Sequence, residues 1–130
     1  MNDYTCRIVR GEEEIYRSTE RGIAPLIAII DGGIDVAGAV AYDKIVGKAA
    51  ALLYVLTGVG AVHAGVLGKA AARLFDENGI AYTYETLTEN IINRKGDGVC
   101  PMEETVRDVD SPVAAYTALK QKLRDMAKGA

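Results

Sequence analysis

The chain has 130 residues, 49% of them apolar and 25% charged, with a formal net charge of −3; this length closes a core without disulfide or metal staples, and the balance is that of a globular protein. Charges of both signs are interspersed, so the basic stripe that releases counterions from nucleic acid is missing, and nucleic acid is excluded as a partner. Apolar runs are broken well short of a membrane span, residues 1–5 form no charged-then-apolar leader, and Cys6 and Cys100 make no pair motif, so a membrane partner is excluded and one domain over 1–130 in a reducing cytoplasm is expected.

Tyr4–Val9 and Glu14–Thr19 are rich in strand formers and flank the turn at Arg10–Glu13, which predicts an opening β-hairpin. The run Gly22–Gly33 has Pro25 where a first helical turn accepts proline and a double glycine where a helix stops, and it is apolar on nearly every side: a short buried helix. Gly38–Tyr42 and Gly60–Gly65 read as strands, each followed by one copy of a repeat. Val46-Gly47-Lys48-Ala49-Ala50-Ala51-Leu52-Leu53-Tyr54 recurs 21 positions later as Leu67-Gly68-Lys69-Ala70-Ala71-Ala72-Arg73-Leu74-Phe75, with Gly58 and Gly79 ending the two helices at equivalent places. Strand and helix patterns alternating at this length predict βαβ units with parallel strands. Ile80–Leu87 alternates as a partly exposed strand. Thr88–Gly98 reads as a loop. Pro101 and Pro112 each open a helix, the second with an apolar stripe at Val113, Tyr116, Leu119, Leu123 and Met126.

Gly22-Ile23-Ala24-Pro25-Leu26, Asp43-Lys44-Ile45-Val46-Gly47-Lys48-Ala49-Ala50-Ala51-Leu52, Asn93-Arg94 and Cys100-Pro101-Met102-Glu103 together resemble a small bacterial family classed as a domain of unknown function. The resemblance spans nearly the whole chain and implies a three-layer α/β fold of the cytidine-deaminase-like kind, with a mixed sheet opened by a β-hairpin and flanked by helices. It does not fix chemistry. Zinc deaminases bind metal at two helix starts, one bearing His-x-Glu or Cys-x-Glu and the other Pro-Cys-x-x-Cys. The corresponding stretches, Lys44–Lys48 and Val66–Ala70, hold no histidine, cysteine or glutamate, so no metal site, no cofactor and no classical deamination are expected.

Two Gly-Lys helix starts remain the main functional signal, because a helix start presents unpaired N–H groups and a positive dipole end. In a deaminase-like arrangement the two face each other, which predicts a pocket for a small anionic or nucleotide-like ligand between Lys44, Gly47, Lys48, Gly68 and Lys69; the alternative is close helix packing at each glycine and a solvated lysine. Neither Gly-Lys is a triphosphate loop, since Ala49 and Ala70 replace the metal-binding hydroxyl. Asn93, Arg94 and Lys95 lie in the long loop and are expected to close over the pocket, Arg being suited to two-point contact with phosphate or carboxylate. Catalytic candidates are Asp43, an acid/base or a helix cap; Cys100, a nucleophile before a proline-opened helix or a small buried residue; and Glu103, an acid/base or, with Glu104, a complement to its own helix dipole. His63 reads as a packed or edge residue. The leading expectation is a ligand-binding protein of deaminase-like fold. A cysteine-dependent enzyme using Cys100 and a non-catalytic module for homo-oligomer assembly stand as alternatives.

Overall fold

The structure is a computed structural model and describes residues 4–20, 22–91, 96 and 98–128. The opening hairpin forms as expected, from β1 (Cys6–Arg10) and β2 (Glu13–Ser18), with a bulge between Ile8 and Val9. Helix α1 (Ala24–Asp31) follows, with Pro25 in its first turn where the missing N–H costs nothing. The repeat then produces β3 (Val40–Val46), α2 (Lys48–Thr57), β4 (Ala61–Gly68), α3 (Lys69–Glu77) and β5 (Ala81–Thr88), and the chain ends in α4 (Pro101–Thr105) and α5 (Pro112–Lys128). Gly58 closes α2 at φ 79°, a left-handed value that suits glycine, and its N–H reaches the carbonyls of Tyr54 and Val55.

The strands run further than the sequence pattern suggests. Lys44–Val46 and Val66–Gly68, expected as helix starts, belong to β3 and β4, where Ile45 pairs with Val66 and Val46 with Leu67. Most of these side chains are β-branched or apolar, and a partner strand lets them continue the ladder until glycine ends it.

The five strands lie in the order β2-β1-β3-β4-β5, with β1 antiparallel to both neighbours and β3, β4 and β5 parallel. Each crossover advances in the same direction across the sheet, so right-handed connections stack α1, α2 and α3 on one face. On that face Ile8, Ala41 and Val62 stand in register and are fully buried. Helix α5 packs over α2 from outside, which buries Ala49 through Tyr54 on every side and makes α2 the centre of three layers. Asp31 at the end of α1 ties α5 down, pairing with Lys120 at 2.9 Å and accepting the Tyr116 hydroxyl.

The opposite face carries Arg7, Tyr42, His63 and Thr83 in one row across four strands, each partly or wholly exposed. The alternation slips between Asp43 and Val46, leaving Val46 and Leu67 in the core and Ile45 more than half exposed. At the slip Gly65 passes so close to Lys44 that a Cβ would lie 2.6 Å from the lysine carbonyl oxygen.

Candidate functional site

Helix α2 begins at Gly47, which has extended backbone and no side chain to cap the first turn. A helix start in that state needs acceptors from elsewhere. Glu103, on α4, supplies them: its Oε1 accepts the Lys48 N–H and its Oε2 the Ala49 N–H, both at 2.8 Å. The carboxylate thus sits on the positive end of the α2 dipole, in a charge-assisted, two-point contact. A Cβ on Gly47 would stand 2.3 Å from Glu103 Oε1 and 2.7 Å from Ile91 Cγ1, so glycine is required for this docking. Lys48 turns away from the helix axis, donating to the Arg107 carbonyl at 2.9 Å and to Asp110 Oδ1 at 3.2 Å, with its side chain only 15% exposed. The expected anion position at the start of α2 is therefore filled by the protein's own carboxylate, and Lys48 anchors the connection between α4 and α5.

The second junction lies against the first, with a Cβ on Gly68 placed 3.6 Å from Gly47 Cα. Both border a cleft of about 740 Å³, within the range of small-molecule sites, which Lys48, Ala70, Arg73, Glu103, Arg107 and Asp110 help to line. Among the described residues no side chain caps the start of α3. Lys69 pairs with Glu89 at 2.6 Å on the surface, a contact of small energetic weight. The guanidinium groups of Arg73 and Arg107 have no hydrogen-bond or ion-pair partner among the described residues. Sequence reasoning missed both arginines and the capping role of Glu103. A signal existed for two of the three: Arg73 breaks the repeat where its counterpart is the fully buried Leu52, and Gly47 leaves α2 without a local cap.

The other predicted residues separate from the cleft. Lys44 is exposed on β3 and lines a shallow depression of about 230 Å³ with Tyr42, His63, Gly65 and Thr83. Asp43 caps no helix. Its Oδ2 accepts the Tyr54 hydroxyl at 2.7 Å, its Oδ1 the Ile45 N–H at 3.4 Å, and the Tyr54 oxygen lies 3.4 Å from Cys6 Sγ. Partial burial pushes the Asp43 carboxyl up to about 7 against these hydrogen bonds, and burial, with Asp43 beside it, pushes the Cys6 thiol up to about 12. Cys100 stands at the N-cap of α4, half-buried against the core, with no side chain among the described residues bonded to its thiol. His63 is a packed residue, stacked on Tyr42 at 5.0 Å and bonded through Nδ1 to Thr83 Oγ1 at 2.5 Å. Glu104 is exposed in the first turn of α4. Asn93, Arg94 and Lys95 fall outside the described residues.

Among the described residues no three His, Cys, Asp or Glu side chains gather to hold a metal ion, and no helix is long and apolar enough to cross a membrane. No curated protein matches the chain. A crystal structure of a DUF1893 family protein (TM1506) from Thermotoga maritima superimposes with a TM-score of 0.85 at 26% identity, covering 92% of this chain and 81% of that one. The model of the family described as TM1506, domain of unknown function (DUF1893), matches residues 1–123. Over that span the junctions, the capping glutamate and the cleft are all included, and the chain belongs to the DUF1893 family.

Proposed function

We propose that this protein, a deaminase-like domain without the deaminase zinc motif, binds a small anionic or nucleotide-like ligand in the cleft between α2, α3 and α4. The side-by-side starts of α2 and α3 at one cleft support the deaminase-like reading. The observation that carries the ligand is the contrast between them. At α2 the N–H groups are taken by Glu103, whereas no described side chain caps the start of α3, and two guanidinium groups without a partner among the described residues line the same cleft. The anionic group of the ligand sits at the start of α3 and is clamped by Arg73 and Arg107, as planar two-point donors suit phosphate and carboxylate. Glu103, facing the same space with its charge held at α2, orients donor groups elsewhere on the ligand.

Thermal shift with inorganic phosphate, sugar phosphates, nucleotides and ADP-ribose compounds tests this. Stabilisation is expected with at least one, worth about 2.7 kcal/mol at a hundredfold excess over Kd. The Arg73→Ala, Arg107→Ala double variant loses that shift while keeping the ligand-free Tm. A shift that survives the double variant, or none from any of these ligands, counts against the site.

A further inference from the structure

The two edges of the sheet are built differently. β2 has Glu13, Glu14 and Arg17 along its length and a bulge in its pairing with β1, two devices that keep an edge strand from joining another chain. β5 has neither. It runs eight residues in constant register against β4, contains no proline and a single charge at Glu85, and its outward N–H and C=O groups from residue 82 onward take no backbone hydrogen bond from any described residue outside that ladder. Tyr84 and Leu87 stand 46% and 38% exposed along it.

An open edge of this length accepts another strand, and its own sequence fits it to itself. Across a two-fold axis normal to a sheet, opposed residues share a face, so an antiparallel self-pair must centre on a residue. Centring on Glu85 would oppose two carboxylates. Centring on Tyr84 places Glu85 opposite Thr83 of the second copy, Tyr82 opposite Thr86 and Ala81 opposite Leu87, which pairs aromatic and aliphatic groups and leaves no like charges opposed. We infer that β5 pairs antiparallel with β5 of a second copy of this chain about an axis at Tyr84, joining the two sheets into one.

Light scattering of the full chain is expected to give the mass of two chains, and Tyr84→Lys, which sets two ammonium groups face to face, the mass of one. Cross-linking decides independently if that variant fails to fold. In a Cys100→Ser background, Tyr84→Cys joins two copies on mild oxidation, because directly opposed residues lie about 4.5–5.5 Å apart at Cα, and Thr86→Cys does not, being opposed by residue 82. A single-chain mass for the unaltered protein, a two-chain mass for folded Tyr84→Lys, or a cross-link at 86 without one at 84 overturns the proposal.

Discussion

Asp43 is a residue whose chemistry departs far from its ordinary behaviour. Its carboxyl, wedged between Tyr54 and the β3 backbone, titrates near 7 in the folded chain, against the ordinary aspartate value of 3.8. A raised carboxyl binds its proton more tightly when folded, so its stabilising contribution is complete below the ordinary carboxylate range and is lost as pH rises through about 7. Replacing Asp43 by Asn keeps an acceptor for the Tyr54 hydroxyl and removes the ionisation. Urea unfolding across pH is expected to show Asp43→Asn and the unaltered protein converging below about pH 4, separating as pH rises from there to about 7 and holding a constant gap above it, with the variant more stable by on the order of 1–3 kcal/mol. Equal stabilities at pH 8 would mean that Asp43 is ionised without penalty. Gly47 is the second residue with a sharp requirement, and for contact rather than backbone reasons, since its φ of −104° suits any residue. Gly47→Ala drives a Cβ into Glu103 and is expected to cost about 1–3 kcal/mol in denaturant unfolding. Gly68→Ala meets only ordinary contacts at 3.6–3.8 Å and is expected to stay within about 0.5 kcal/mol.

At the scale of elements, α2 and α3 start with the same five residues, Gly-Lys-Ala-Ala-Ala, and are used differently. α2 is buried all round by the sheet and by α1, α3 and α5, so its dipole end has little water to face and is given a carboxylate instead. α3 has one solvent side, where Arg73 replaces the buried Leu52 of its twin. The matching lysines follow suit: Lys48 is nearly buried and ties α2 to the chain between α4 and α5, whereas Lys69 makes only a surface pair. Glu103→Ala is expected to lower unfolding stability by about 1–2 kcal/mol, the usual cost of losing a cap, and Glu103→Gln by less, since one acceptor remains. Lys48→Ala is expected to cost about 1–2 kcal/mol, for its lost bonds and its packed stem, and Lys69→Ala less than about 0.5 kcal/mol. Equal costs at the two lysines would contradict the asymmetry between the twins.

For the molecule as a whole, three layers with α2 in the middle place the most protected backbone in α2, buried without a break from Ala49 to Tyr54, and in the central strands β3 and β4 beneath it. Hydrogen exchange is expected to show amides there opening only with global unfolding, and those at the exposed C-terminal end of α5 exchanging through local fraying. Much of this architecture was legible in the residues. The hairpin, the twin helices and the two proline-opened helices all follow from local rules, because strand preference, a proline in the first turn and a glycine after the last are satisfied within a few residues of chain. The strand ends were not legible, since Lys44 looks like a helix start until Ile45 and Val46 are given partners in β4. Nor was the site. Glu103 reaches the start of α2 from 55 residues away, and Asp43 meets Tyr54 and Cys6 across three elements. The sequence by itself determined which segments become strands and helices and in what order, because those preferences are local. Which face of α3 meets solvent, which acid fills the dipole of α2 and which carboxyl loses its water depend on contacts between distant segments, and only the packed fold decided them.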